Sequence, residues 1–184
     1  MGNPVSWDNV ETLTEGLVTI AGWNGRQDEA RLTAELPVVR AKDYSITFVV
    51  SETPSFLQFV VRLEINSMMD IDEARFSTSI ELLTRVCIEV SLPQSLQLAT
   101  WEPKNVVYEF VYPWKCDTSL QQAISLPYLH GMVTDWSRDL SMPAMSLAPL
   151  LGFYLRGVYK SDAEFILAAR QGLGMITVPT QGNA

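Results

Sequence analysis

The chain is poor in the side chains that carry out chemistry. It has one histidine, His130, and two cysteines, Cys87 and Cys116. Two thiols fall short of the four ligands of a structural zinc site. With no secretory signal they read as free, buried residues of a reducing compartment. A lone histidine reads as structural. Asp135 lies five residues beyond it, but no nearby Ser or Cys sits in a G-x-S-x-G elbow. A pairing of His130 with Cys87 or Cys116 would place the thiol in an apolar setting, which favours an inert sulfur. Gly172 and Gly174 form no phosphate loop, because no Lys-Ser/Thr pair follows them. The expectation is a protein that is not an enzyme, with no catalytic, cofactor-binding or metal site and no cofactor.

Charge is also scarce. Charged residues make up 18% of the chain, against about 25% in an ordinary soluble domain. The net charge is −8, and there is no basic arm: the first 43 residues hold four basic against seven acidic side chains. The segment 171–184 has no charged side chain. Strong direct binding to a nucleic-acid backbone needs clustered Lys and Arg, so it is not expected. No run of about 20 apolar residues is present, which removes a helical membrane span. No basic start followed by an apolar block marks a signal peptide, and there is no N-x-S/T sequon. One acidic group stands out, Asp70, Asp72 and Glu73 in MMDIDEAR. Three close carboxylates could hold Ca²⁺. Without the spacing and glycine of an EF-hand, the plainer reading is a solvated acidic loop.

What the chain does have is apolar surface to bury: hydrophobic residues are 47% of it. Either the core is well filled or part of this surplus meets other chains. Trp101 to Ser119 reads as a turn, a strand apolar on both faces over Val106–Tyr112, and a second turn. Tyr44 to Val50 and Leu57 to Ile65 alternate as half-buried strands, with Phe59, Val61, Leu63 and Ile65 facing one way. Thr84 to Leu92 alternates too, with Val86, Ile88 and Val90 inward. Leu17 to Trp23, Leu151 to Tyr159 and Glu164 to Arg170 read as further strands. Residues 9–18 fit a short helix behind Asp8, and Ser119 with Gln122 fits a capping box for a turn near 120–124. Asp70 to Leu83 fits helix or strand. Residues 125–149, with Pro127, Pro143 and Pro149, read as loop. Met68, Met69, Met142 and Met145 read as gap-filling core residues. Ten prolines and ten glycines spread between short apolar runs punctuate the chain as an all-β sandwich would. The fold expected is an eight-stranded jelly roll with short helices in its connections.

The order V-C-I-E-V (86–90), W-E-P (101–103), Y-E-F (108–110) and P-W-K-C-D-T-S (113–119) resembles the coat proteins of plant picorna-like viruses of the comovirus and cheravirus kind. LGFYLRGVY (151–159) and EFILAAR (164–170) are similar to that family's closing strands. The resemblance covers roughly residues 84–170. It implies a single jelly-roll capsid domain over 1–184, with segments 1–25 and 171–184 as arms reaching neighbours. It implies assembly with sister coat proteins into a pseudo-T=3 icosahedral shell around an RNA genome. The packaged RNA would be bound only weakly or indirectly, and no membrane would be engaged. The setting implied is the virion, with host cytoplasm during assembly, and no catalytic residues carry over.

A second resemblance comes from another class. Residues 127–149, PYLHGMVTDWSRDLSMPAMSLAP, are similar to the C-terminal region of the export chaperone SecB, with Pro-Tyr, a Thr and Leu-Ala-Pro at comparable spacing. The chain departs from that pattern at His130 and Gly131. This resemblance implies an acidic oligomeric protein that holds unfolded polypeptides.

Overall fold

The computed structural model describes residues 10–28, 31–52, 57–90, 92, 95–114 and 126–174. In chain order its elements are α1 (Val10–Thr19), β1 (Asn24–Asp28), β2 (Arg31–Arg40), β3 (Tyr44–Glu52), β4 (Leu57–Asn66), α2 (Glu73–Glu89), β5 (Ser95–Glu102), β6 (Asn105–Trp114), α3 (Leu126–Leu155) and α4 (Asp162–Gly174). The six strands form one sheet in the order β1-β2-β3-β4-β6-β5, and every neighbouring pair is antiparallel. The chain leaves the sheet after β4, forms α2, and returns as the β5–β6 hairpin with β6 against β4.

The central strands follow from alternation. Ile46, Phe48 and Val50 of β3, Phe59, Val61 and Leu63 of β4, and Val106, Tyr108 and Phe110 of β6 are all fully buried on one face. Register sets them in rows across the sheet: Phe48 beside Val61 beside Phe110, and Ile46 beside Leu63 beside Tyr108. The stacked rings of Phe48 and Phe59, 5.8 Å apart, anchor this face. Trp23 meets Phe48 edge-on, and Trp136 of α3 meets Phe59 edge-on. α1 packs on β1, β2 and β3, α3 on β2, β3 and β4, and α2 on β5; α4 lies on α2 and α3. No described helix covers the opposite face. There Val49, Val60 and Val111 form a small cluster of their own, and Arg62 sits between Glu35 and Glu109, 3.6 and 3.0 Å away. Gly25 matters for the first helix, because a Cβ there would lie 3.1 Å from Val18. Its absence lets α1 approach β1.

The all-β jelly roll is therefore corrected to a mixed α/β fold: a six-stranded antiparallel sheet with four helices among the described residues. The strands at 44–50, 57–65 and 106–112 are present, and the helix expected at 9–18 is α1 over Val10–Thr19, residue 9 lying outside the described residues. Four other segments differ. Thr84 to Leu92 is mostly the end of α2. Its buried residues Phe76, Ser79, Leu83, Val86 and Cys87 keep helical spacing within a helix of 17 residues, while Ile88 is 72% exposed. A seven-residue window of β-branched side chains fits both periods; the longer window does not. Leu17 to Trp23 is the end of α1 and a turn, with Gly22 at φ +73°. Leu151 to Leu155 end α3, residues 156–159 follow it outside any helix or strand, and Glu164 to Arg170 fall in α4. Strand β2 has no counterpart in the sequence reading, because Pro37 and the shift of register between Pro37 and Val39 break its alternation. The capping box at Ser119 and Gln122 lies outside the described residues, as does Asp8. Of the segment 1–25, residues 10–19 are α1, which buries Leu13 and Leu17; of 171–184, residues 171–174 close α4.

Of residues 125–149, read as loop, 126–149 are most of α3, 30 residues with Pro143 and Pro149 inside it; residue 125 lies outside the described residues. Each proline removes one helical N–H. The helix survives because its apolar face is deep: Val133, Leu140, Ala144, Leu147, Ala148 and Leu151 are buried at three- and four-residue spacing. Around Pro143, other groups tie the backbone. The Tyr112 hydroxyl donates to the Leu140 carbonyl at 2.9 Å, and Ser141 donates to the Ser137 carbonyl.

Candidate functional site: an apolar groove at one end of the sheet

The last turns of α3 reach the end of the sheet where β3 begins and β4 finishes. The row there is Tyr44 beside Ile65 beside Val106. The loop after β4 is latched to the β5–β6 turn: Ser67 N–H donates to the Lys104 carbonyl at 2.9 Å, and Ile71 N–H to the Pro103 carbonyl at 2.7 Å. Asn66 N–H donates to the Asp43 carbonyl at 2.9 Å. These bonds fix a wall of Asp43, Tyr44, Ile65, Asn66, Ser67 and Ile71. Ala148, Pro149, Gly152, Phe153, Leu155 and Arg156 of α3 and its end form the other wall, and the space between measures about 150 Å³.

Gly152 makes the groove. A Cβ there would meet only the Arg156 guanidinium, at 3.5 Å, so the missing side chain is open space. The Arg156 guanidinium lies over the Phe153 ring, 5.4 Å from its centre, which pins both at the mouth. Phe153 is 43% exposed, and the loop between Ser67 and Ile71 carries Met68 and Met69, 86% and 72% exposed. These methionines are surface residues, not core fillers. Methionine suits a surface that adapts to varied apolar partners.

The end of α3 is held independently of the groove. Gly157 takes φ +74°, its N–H donates to the Tyr154 carbonyl, and Val158 N–H donates to the Phe153 carbonyl. This is the helix stop that favours glycine. Arg75 of α2 donates to the same Tyr154 carbonyl at 3.3 Å. A second recess, about 270 Å³, lies nearby among Arg75, Thr78, Tyr154, Tyr159, Lys160 and Asp162. Several of its polar groups are engaged in structure. The Tyr154 hydroxyl donates to Asp162, and burial together with that carboxylate pushes the phenol up to about 12. Ser161 and Glu164 cap the start of α4.

The residues singled out in the sequence do not converge. His130 is buried on α3, its Nε2 has no hydrogen-bond partner among the described residues, and burial holds its pKa below the usual value. Asp135 is exposed on the same helix. Cys87 is buried in α2; Cys116 lies outside the described residues. Asp72 caps α2, its Oδ1 accepting from Ala74 N–H at 3.1 Å, and Glu73 opens the first turn. Asp70 is exposed. Among the described residues no three His, Cys, Asp or Glu side chains are placed to share a metal ion, and no helix is long and apolar enough to cross a membrane. Gly172 and Gly174 lie in α4. Gly172 serves packing, since a Cβ there would come within 2.9 Å of Ser146 Oγ.

No family model, no curated protein and no solved structure matches this chain. The groove was hidden in the sequence because LGFYLRGVY reads as a strand. The usable signal was Pro149, Gly152, Phe153 and Arg156, which recur at three- and four-residue spacing.

Proposed function

We propose that this chain is a non-catalytic polypeptide-binding protein, an acidic holding chaperone or adaptor, and that it takes a large apolar side chain of a partner into the groove beside Gly152. The observation that carries this reading is the groove itself: an apolar recess of about 150 Å³ with Phe153 exposed in its wall and Met68 and Met69 exposed in the loop between its lining residues Ser67 and Ile71. A cavity of roughly 150 Å³ lined by apolar side chains is enough for a benzene ring. Burying one phenylalanine side chain is worth about 1.5–3 kcal/mol, roughly a 10- to 100-fold gain in affinity. That is the strength of a reversible hold, and several such anchors along an unfolded chain would multiply it. The resemblance of 127–149 to SecB and the net charge of −8 agree with this reading. The coat-protein reading rested on a jelly roll; of the segments read as its closing strands, 151–155 and 164–170 are helical and 156–159 is not a strand, and that support is gone.

The test is a stoichiometric aggregation assay, with light scattering of a thermally or chemically unfolded client. Wild-type protein is expected to suppress scattering, and Gly152→Leu, which fills the recess, is expected to lose most of that effect while remaining folded. If Gly152→Leu protects the client as well as wild type does, or if wild type protects nothing, the proposal is refuted.

A further inference from the structure

The groove's charged groups are few and stand apart. Of the residues that line it, only Asp43 and Arg156 carry charge. Asp43 belongs to the β2–β3 turn, where its backbone carbonyl is tied to Asn66. Arg156 follows α3 on the opposite wall. Neither side chain has an ion-pair partner among the described residues. Arg156 is laid over the Phe153 ring, so its planar fork is already oriented at the mouth. An apolar recess with one free carboxylate on one side and one free guanidinium on the other is not neutral toward sequence. Resting on the reading given under Proposed function, we infer that the groove selects internal segments of the form basic–x–aromatic–x–acidic. The aromatic ring enters beside Gly152, the basic side chain meets Asp43 and the acidic side chain meets Arg156.

Charge complementarity sets the preference and the apolar recess sets the affinity, as at other interfaces where charged rims steer choice of partner. Solvent-exposed pairs are weak, about 0.2–1 kcal/mol each. Each therefore multiplies affinity by about 1.4- to 5-fold, and the two together by roughly 2- to 25-fold, at low ionic strength. The reverse order, acidic–x–aromatic–x–basic, can be met by reversing chain direction and counts as the same motif, whereas two like charges cannot be met either way. Peptides bearing two bases or two acids are thus the discriminating controls.

The experiment uses the full chain and fluorescein-labelled peptides with blocked termini, Lys-Gly-Phe-Gly-Glu flanked by Ser and Gly, read by anisotropy in low salt. The comparison set replaces both charges with Ser, with two Lys, or with two Glu, and a further peptide replaces Phe with Ala. The Lys/Glu peptide should bind about 2- to 25-fold tighter than the uncharged one and tighter than either like-charged one. Asp43→Asn should abolish the gain from Lys only, and Arg156→Gln the gain from Glu only, each gain read as the ratio to the Ser–Phe–Ser peptide on the same variant. Equal binding of all Phe peptides overturns the charge rule and leaves the groove reading standing. No difference between the Phe and Ala peptides overturns both.

Discussion

The hydroxyl of Tyr108 offers a sharp test of how the sheet is joined to α2. Ser79 and Tyr108 are both fully buried, and their oxygens lie 2.6 Å apart. Ser79 has one proton, and it is directed at the Phe76 carbonyl, also 2.6 Å away. Tyr108 must therefore be the donor to Ser79 Oγ. Burial pushes the Tyr108 phenol well above its usual value, so it keeps that proton throughout the working range. The two single deletions are then unequal. Ser79→Ala strands a buried phenol proton with no acceptor, at a cost of about 1–3 kcal/mol beyond the lost bond. Tyr108→Phe removes the donor but leaves Ser79 still bonded to Phe76, so only the bond itself is lost, about 0.5–1.5 kcal/mol. Removing both oxygens leaves apolar surfaces facing each other. The double variant should thus be less destabilised than Ser79→Ala alone, and the coupling between the two sites should reach about 1–2 kcal/mol.

Urea unfolding followed by tryptophan fluorescence measures all four corners of that cycle, with unchanged slopes confirming that only the native state has been altered. In a chain of this size about 1 kcal/mol corresponds to roughly 2–4 °C in Tm. Calorimetry should therefore rank the proteins as wild type, Tyr108→Phe, the double variant close to it, and Ser79→Ala lowest. Additive losses, or Ser79→Ala milder than Tyr108→Phe, would refute the assigned direction of the hydrogen bond.

Other perturbations test other joints. Gly157→Ala forces a side chain into φ +74° and to within 3.3 Å of the Arg75 guanidinium; a loss of about 1–2 kcal/mol is expected by the same urea assay, and no loss would contradict the helix stop. Burial depresses the His130 pKa, so its neutral state favours folding above about 6.5 and that contribution fades as pH falls through the lowered folded value; His130→Gln should flatten stability across that window. Glu89 is held below its usual value by hydrogen bonds from Arg170 and Arg85, so its contribution is present above the ordinary carboxylate range and disappears as pH falls further; Glu89→Gln should remove only this lower, salt-sensitive part of the acid limb.

The three central strands were legible because one face of each is fully buried, while the other is half-buried apart from Val49, Val60 and Val111. Arg62 and Glu64 alternate with Val61, Leu63 and Ile65, and no helix can satisfy that pattern. The helices were harder for two distinct reasons. In α2 the exposed face carries Ile88, and the local run of Val86, Ile88 and Val90 imitates a strand until Phe76, Ser79 and Leu83 are counted with it. In α3 the prolines argue against a helix on local grounds. What overrides them is tertiary: a buried face that runs from Val133 to Leu155 and a Tyr112 hydroxyl supplied from β6. That donor is 28 residues away in sequence, so no local reading can see it. The groove was illegible for a related reason, since its walls come from segments about a hundred residues apart that meet only after the sheet has formed.

That separation has a consequence for Gly152. Its neighbours in the groove are strand ends and a loop fixed by backbone bonds from Asn66, Ser67 and Ile71, not the rows of Phe48, Val61 and Phe110 that hold the sheet. Filling the recess should therefore leave the core undisturbed. Glycine inside a helix costs about 1 kcal/mol relative to good helix formers, and a leucine at 152 would add apolar contact with Ile65, Phe153 and the recess walls. Gly152→Leu should accordingly raise the urea midpoint, or at least hold it, while client protection is lost. Function falling as stability rises is the signature of a binding site that tolerates a void; function and stability falling together would mean that Gly152 is there for packing, as Gly172 is.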